Sequence, residues 1–267
     1  MTICAGRRAG MWINMKYSIS EIQKIESDML FHIMEISKEH GFDVFASAGT
    51  VLGAVRHHGP IPWDSDADIY IPFPDFVSFC TALDQHLPNK YTVNSYESNG
   101  RQEILYGKVG VRGLSDTVLH VDIFPLLGLP DNPKKHNKFM SKAVRLKWIH
   151  YYKTHKLSRD NLLGRICCKC IPLSSMYIRK LFKNYVSRYD YYKSEYVFNA
   201  NPGKASPKKF SKAVFGKGTW IQYEDFKIRV PERYDDYLRI AYGDYMKLPP
   251  IEERNKQNQL YFISEVE

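Results

Sequence analysis

Three aspartates lie two residues apart, at Asp64, Asp66 and Asp68, where a polar stretch passes into an apolar run. Side chains two residues apart in a β-strand point to the same face, so a strand over residues 66–71 would place Asp66 beside Asp68. Adjacent carboxylates repel each other, and one of them takes up a proton unless a cation lies between them. Clustered carboxylate oxygens suit Mg²⁺ or Mn²⁺. The spacing therefore predicts a divalent-cation site.

A fourth aspartate stands alone in a second apolar segment. Asp122 lies in the stretch HVDIFPL, between Val121 and Ile123, and an acid inside a strand is disfavoured unless it has a role. Magnesium usually takes one or two protein carboxylates and completes its shell with water and substrate phosphate. We expect the strand that contains Asp122 to lie next to that of Asp66 and Asp68 and to complete the site.

The acidic run has two alternative interpretations besides the metal site, namely a solvated turn and a calcium loop. The stretch PWDSDAD could be a polar turn that leads into a strand. It could also be a calcium loop of the EF-hand type, since Asp64, Asp66 and Asp68 match its first three ligands. That loop needs Gly at position six, where this chain has Ile69, a residue that cannot easily adopt the required turn. We set the calcium loop aside and favour the metal site over the solvated turn.

The elements before the acids must position them. The capping-box pattern at Ser18 begins a helix with apolar residues at helical spacing, and Gly41 ends it. The sequence AGT at residues 48–50 predicts a tight turn followed by a short helix capped by Thr50. Backbone N–H groups at a helix N-terminus bind phosphate well, so Gly49 and Thr50 are candidate substrate-binding residues.

The apolar patterns over the whole chain predict an α+β protein, with a mixed-sheet core, flanking helices and a basic helical insert. Strands are expected within FDVFAS, DADIYI, EILYGKVGV and TVLHVDIFPL, and as a pair around TWIQYEDFKIRVP. The chain divides into a loose N-terminal tail, a catalytic core, the insert, and a C-terminal segment that returns to the core. Their predicted bounds are residues 1–16, 17–130, 131–200 and 201–267.

The charge of the chain is uneven. The net charge is +9, but residues 134–193 contain sixteen Lys or Arg and two acids, which leaves a net charge of −5 for the remainder. The interleaved Tyr and Trp would suit nucleic acid, yet no nucleic-acid motif is present, and no nucleic acid is expected as a partner. Amphipathic basic helices suit an anionic membrane surface, which we prefer to a plain solvated surface.

Composition bounds the class of protein. A hydrophobic content of 44% over 267 residues indicates a folded chain with a sizeable core. No apolar stretch reaches the roughly 18 residues of a membrane-spanning helix, and the N-terminus lacks the apolar core of a signal peptide. Five cysteines do not suggest a disulfide framework. We expect a cytoplasmic protein, peripheral at the inner face of the membrane.

Three motifs resemble those of the LicD family, in the same order. The stretch GTVLGAVRHHGPIPWDSDADIYI is similar to the family's first motif, HVDIFPLLGLP to its second, and VPERYDDYLRIAYGDYMKLPP to its C-terminal motif. The resemblance covers about residues 19–250. It implies a nucleotidyltransferase-like core and the transfer of a phospho-alcohol, typically phosphocholine, from a CDP-alcohol to a hydroxyl of a glycan or lipid-linked glycan.

The resemblance also implies roles for individual residues. By position, Asp66, Asp68 and Asp122 match the family's metal-binding and catalytic aspartates, and Asp64 matches an outer acid of the same site. Two metal ions about 3.5–4 Å apart would clamp the attacking and leaving oxygens. Ser65 stands where the family usually has another acid, so this cluster is less negative. Asp122 could accept the hydroxyl proton or only hold a metal ion.

Three basic residues are further candidates for substrate binding. Arg56 suits a phosphate clamp because its guanidinium is planar and always charged, although it could be a surface arginine. His57 could assist, but the C-terminal end of a helix attracts histidine anyway. Lys108 could contact phosphate or be an edge-strand lysine.

The sequence leaves two kinds of rival function. The donor could be another phospho-alcohol, namely ethanolamine, glycerol or ribitol phosphate, used by the same type of enzyme. The chain could instead be a basic binding protein for membrane or nucleic acid without catalytic activity.

Overall fold

The computed structural model describes residues 14–95, 105–154, 166–168, 170–200, 207–254 and 260–264. Its first helix, α1 (Ile19–Glu39), begins with the predicted capping box, in which Ser18 and Glu21 each accept a hydrogen bond from the other's backbone N–H. Gly41 follows the helix with a φ of 72°, a left-handed conformation that glycine adopts without strain. Both predicted ends of α1 are confirmed.

A mixed sheet forms the centre of the molecule and confirms the α+β class. Its strands run in the spatial order β2 (Phe45–Ala46), β3 (Ala67–Pro72), β6 (His120–Gly128), β5 (Gly107–Val111) and β4 (Tyr91–Asn94). Strands β3 and β6 are parallel and the other pairs are antiparallel. At the far end of β6, β7 (Tyr196–Asn199) pairs with β6 and β8 (Lys209–Ser211) pairs with β7.

The two faces of this sheet differ in chemistry. Ile69, Val121 and Ile123 lie on the face covered by α1 and by α3 (Phe76–His86), and all three are fully buried. Alternation along the strands places Asp68 and Asp122 on the opposite face. The apolar face therefore anchors the two strands, and their acids point away from that core.

The helix before the acids starts earlier than predicted. Helix α2 (Ala48–His57) follows Ser47, which makes no side-chain cap, so the prediction that Thr50 caps it is wrong. Thr50 lies in the first turn, where its hydroxyl accepts a hydrogen bond from the backbone N–H of Asp68 at 2.8 Å. The backbone N–H of Ser47 donates to the carbonyl of Asp68 at 2.9 Å. These two bonds fix the start of α2 against the start of β3.

The basic insert contains two long helices packed on each other, α4 (His136–Thr154) and α5 (Ser175–Val186). They enclose a second hydrophobic core in which the rings of Phe139 and Tyr185 stack at 4.6 Å between centroids. Strand β7 falls within the predicted insert, 131–200, but pairs with β6 and so belongs to the main sheet.

The C-terminal segment packs back onto the first core. It comprises the hairpin of β9 (Thr219–Tyr223) and β10 (Phe226–Val230), then α6 (Tyr234–Tyr242), α7 (Ile251–Arg254) and β11 (Leu260–Ser264). Strand β11 pairs with β1 (Asn14–Ser18), so residues 14–16 of the predicted tail lie in a strand. Residues 1–13 lie outside the described part of the chain. None of the described helices has the length and hydropathy needed to cross a membrane.

Candidate active site

Asp68 and Asp122 lie directly opposite each other on the parallel strands β3 and β6. Opposite residues of paired strands point to the same face, so the structure brings these two predicted acids together. Burial, and then the charges of Asp122, Asp66 and Asp64, raise the pKa of Asp68 well above its usual value. All four acids that the sequence singled out therefore act on one another at this place.

Asp66 and Asp64 precede β3 rather than lying in it. Asp66 is exposed, whereas Asp64 is partly buried against the first turn of α2. A Cβ atom at residue 49 would lie 2.7 Å from Oδ2 of Asp64, so Gly49 leaves room for that carboxylate. The side-chain amide of Gln23 donates to the carbonyl of Asp64 at 2.7 Å and holds the loop in place.

The predicted phosphate site at the start of α2 is therefore lined by an acid. The backbone N–H of Ala48 donates to the hydroxyl of Tyr237 at 2.9 Å, and that of Thr50 donates to the carbonyl of Ser47. The N–H groups of Ala48 and Thr50 therefore already donate hydrogen bonds within the protein. Because the carboxylate of Asp64 also lies beside Gly49, the turn repels a phosphate unless a cation is bound nearby.

Lys108 lies on the other side of Asp122. Its Nζ is 3.5 Å from Oδ1 of Asp122 and donates to the carbonyl of Asp116 at 3.1 Å. Strand β5 runs between β4 and β6, so the alternative of an edge-strand lysine is wrong. His120, on the same strand as Asp122, places Nε2 3.2 Å from the same oxygen. A row of Asp68, Asp122 and Lys108 thus crosses three adjacent strands.

A test of the expected metal ion gives two results. Within the described ranges, no three His, Cys, Asp or Glu side chains stand close enough together to hold an ion as they are placed. However, Asp68 and Asp122 present carboxylates side by side, and the neighbouring acids repel Asp68. Oδ1 of Asp122 makes no hydrogen bond in the described structure but lies 3.5 Å from Nζ of Lys108 and 3.2 Å from Nε2 of His120. Paired carboxylate oxygens fit Mg²⁺ or Mn²⁺ chemically, and an ion at Oδ1 would take the place of these two nitrogens.

Arg56 and His57 lie at the other end of α2, seven or more residues and about 10 Å along the helix from Gly49. Arg56 donates to Nε2 of His57 at 2.9 Å and to the carbonyl of Tyr245 at 2.7 Å. Burial, and then the charge of Arg56, lower the pKa of His57. These two residues are therefore not in the row of acids, and His57 is mainly a neutral acceptor at pH 7.

Arg56 lines an open cleft of about 410 Å³. The cleft also contains Trp63, Tyr242, Tyr245 and Lys247. Burial and then the charges of Asp68, Tyr70 and Asp64 raise the pKa of Tyr242, and Arg56 opposes them. The charges of the acid cluster therefore act on Tyr242 in the cleft.

Sequence reasoning missed Glu26. This residue of α1 is 4% exposed, accepts a hydrogen bond from the backbone N–H of His120, and has no partner for Oε1 in the described structure. Burial, and then the charges of Asp66, Asp64 and Asp68, raise its pKa well above the usual value. Glu26 follows Ile22 by four residues, so its place on the apolar stripe of the helix was a readable signal.

Lys147 was also missed as a site residue, because it was counted with the basic insert. It lies on the buried side of α4 at 8% exposure, with Nζ 4.0 Å from the ring centroid of Trp148 and 5.8 Å from that of Tyr151. Burial lowers the pKa of Lys147 to about 8, against the attraction of Asp122. Its spacing of four residues from the buried Ala143 was the available signal.

Comparisons with known proteins give a family match and a relative of similar length. Residues 41–166 match the family described as LicD/FKTN/FKRP, nucleotidyltransferase domain, a range that includes the four aspartates, Lys108 and Lys147. The lipopolysaccharide cholinephosphotransferase LicD of Haemophilus influenzae is 23% identical over 254 residues, which cover 90% of this chain and 95% of that protein.

Two shorter similarities are with proteins of unassigned function. An uncharacterized protein of Rickettsia prowazekii is 37% identical over 86 residues, or 31% of each chain. One of Rickettsia typhi is 36% identical over 74 residues, which cover 26% of this chain and 23% of that protein. Residues 41–166 thus match the LicD family's nucleotidyltransferase domain, and the Haemophilus relative is similar to this chain over nearly its whole length.

Proposed function

We propose that this chain transfers a phospho-alcohol, phosphocholine in the first place, from a CDP-alcohol to a hydroxyl of a cell-surface glycan. The proposal rests on the placement of Asp68 directly beside Asp122 in register, with Lys108 on the next strand. The Haemophilus relative, named as a lipopolysaccharide cholinephosphotransferase, supports the choice of reaction and acceptor.

In this reaction the acceptor hydroxyl oxygen forms a bond to the phosphorus that bears the alcohol, and the bond to the CMP oxygen breaks. The hydroxyl proton passes to a carboxylate of the cluster, for which we assign Asp122. A divalent ion held by Asp66, Asp68, Asp122 and, from further out, Asp64 would supply positive charge at the phosphates. Lys108 supplies a fixed positive charge 3.5 Å from Asp122 and offsets the repulsion between that acid and the substrate.

The open cleft suits the nucleotide part of the donor. Arg56 and Lys247 provide positive charge for phosphate, and Trp63, Tyr242 and Tyr245 provide ring faces. The charges of Asp68 and Asp64 act on Tyr242, and we place the diphosphate between Arg56 and Asp68, with its reacting phosphorus at the cluster. In this proposal Arg56 binds the donor in the cleft, and the start of α2 does not bind it.

The insert provides an argument for choline among the possible alcohols. The ammonium group of Lys147 already lies over Trp148 and near Tyr151, and the charges of both Asp122 and Tyr151 raise the pKa of Tyr106, after burial. These contacts show that ring faces of the insert bind a cation, and a quaternary ammonium is bound by the same cation–π attraction. Glycerol and ribitol have no such charge. We place the reaction in the cytoplasm at the inner face of the membrane, with residues 134–193 towards anionic lipid.

The test is CMP release from a panel of donors. Purified protein with Mg²⁺ and a glycan acceptor should release CMP from CDP-choline at least tenfold faster than from CDP-ethanolamine, CDP-glycerol or CDP-ribitol. Asp68→Asn should lower the rate by at least about 100-fold, whereas Asp84→Asn, an exposed acid on α3, should leave it unchanged.

Two results would overturn the proposal. Release of no CMP from any donor would exclude the transferase reaction. Equal rates for Asp68→Asn and Asp84→Asn would show that the reaction occurs elsewhere. Faster release from another donor would correct the alcohol and keep the enzyme class.

A further inference from the structure

An apolar groove outside the acid cluster has no role in the transfer described so far. It holds about 180 Å³ and lies between the turn before α3, strand β6 and helix α5. Its walls are mainly the side chains of Phe73, Phe76, Val77, Pro125 and Phe182. Val77 is 40% exposed at its mouth, so the groove opens to the surface.

The rim of the groove is cationic. Arg179 and Lys183 stand one helical turn apart on α5 and line the same groove. None of the described residues that line it is acidic. Apolar walls with positive charge at one rim complement a molecule that has a hydrocarbon chain and an anionic head.

The same two cations also border a second, more open hollow of about 480 Å³ on α5. That hollow includes Met176, which is 56% exposed, Tyr177, which is 48% exposed, and Lys180. The surface of the helix therefore continues the amphiphilic character of the groove outwards, with apolar and basic side chains side by side, as at a lipid interface.

The inner end of the groove reaches the reaction site. Tyr106 lines the groove, and its ring centroid lies 5.9 Å from Nζ of Lys108, which is 3.5 Å from Oδ1 of Asp122. A molecule bound in the groove would therefore lie close to the acid cluster, with its anionic head at the cationic rim. A nucleic acid has no chain to fill such walls, and a flat membrane surface would not need an inward groove.

We propose that this groove binds the hydrocarbon chain of a lipid phosphate, whose phosphate lies on Arg179 and Lys183. That this lipid is the acceptor's own anchor rests on the proposed function. Binding of the lipid itself does not depend on it. Each methylene group that enters the groove should strengthen binding about fourfold, and the two cations should add charge-assisted bonds to phosphate.

Binding of alkyl phosphates to the full chain tests the proposal. In isothermal titration below the critical micelle concentration, dodecyl phosphate should bind saturably and at least tenfold more tightly than hexyl phosphate, and inorganic phosphate should bind at least 100-fold more weakly. Val77→Glu should weaken binding of dodecyl phosphate at least tenfold. Arg179→Gln combined with Lys183→Gln should do the same while binding of dodecanol stays unchanged.

Ile240→Glu is the matched control, because Ile240 is also 40% exposed but lies on α6, away from the groove. It should bind dodecyl phosphate like the wild type. Equal weakening by Val77→Glu and Ile240→Glu, or no dependence on chain length, would overturn the groove as the site. Melting curves of each variant confirm folding. No CDP-alcohol is present in this titration, so the groove can fail while CMP release succeeds, and the reverse.

Discussion

The acid cluster of the sheet and the basic insert both act on Asp122, and they are built differently. On the sheet side, Asp68 and Lys108 come from the strands that flank β6 in register. On the insert side, Lys147 comes from a helix whose other cations are mostly exposed. In the proposed reaction site, acids of the sheet are therefore combined with a buried cation of the basic insert.

Under the proposed function, the comparison makes the insert part of the active site as well as a surface. Sixteen cations along residues 134–193 look alike in the sequence. Only the fold separates Lys147, which is buried and attracted by Asp122, from Arg179 and Lys183, which line the groove. Predictions that treat the insert as one basic surface miss this division of roles.

The largest effect that would test this comparison is expected for Lys147→Met. Removing the ammonium takes away the positive charge that the insert brings to Asp122, so kcat/KM should fall about 10- to 100-fold. Methionine fills a similar volume and needs no hydrogen bond, so the protein should remain folded. Lys138→Met is the matched control, since Lys138 is exposed on the same helix, and it should change the rate less than twofold. Equal rates for the two variants would show that the insert has only a structural role.

A pH profile should show the next largest effect. Burial lowers the pKa of Lys147 to about 8 from an ordinary value of 10.5, so its charge is present below pH 8 and is lost as the pH rises through 8. Because the reaction needs the positive charge of Lys147, kcat/KM should fall about tenfold between pH 7 and pH 9. The fall should be absent in Lys147→Met, whose rate is low throughout. A fall of the same size in both proteins would assign it to another group.

Much of the sheet side could be predicted from the sequence. The alternation of the DADIYI stretch and a lone acid in an apolar strand were enough to predict that Asp68 and Asp122 lie together, because strands β3 and β6 each bury their other face. The prediction that Asp66 lies in the same strand was wrong, since β3 begins at Ala67. Register depends on the partner strand, however. Local pattern could not tell that β5 is interior, nor that Lys108 stands opposite Asp122.

The helical parts were harder to predict because charge and exposure are separate properties. Glu26 and Lys147 both occupy apolar stripes of their helices, and a stripe position predicts burial, not what the side chain meets. The predicted start of α2 was wrong for a different reason. Thr50 has the chemistry of a helix cap, but its hydroxyl bonds to the N–H of Asp68, a contact from eighteen residues further along the chain.

The smallest expected effect concerns the stability of the fold around the acid cluster. Here the substitution should increase stability, whereas the substitution at Lys147 should reduce activity. The folded-state pKa of Glu26 lies above its unfolded value, so the folded protein is favoured below about pH 4.5 and loses that advantage as the pH rises. At pH 7.5 the fold must either bury a charge or hold a proton, and both cost free energy. Glu26→Gln removes this cost and keeps an oxygen for the N–H of His120.

The melting temperature of Glu26→Gln should therefore exceed that of the wild type by about 3 °C or more at pH 7.5 in EDTA, and the difference should vanish near pH 4. Glu35→Gln, an exposed acid on the same helix, should show no shift at either pH. Added Mg²⁺ should narrow the gap by stabilising the wild type more, since a cation offsets the repulsion that the variant has already lost. A lower melting temperature for Glu26→Gln at pH 7.5 would mean that the carboxylate stabilises the fold. The acid cluster would then differ from Lys147 of the insert, whose burial disfavours its charged form.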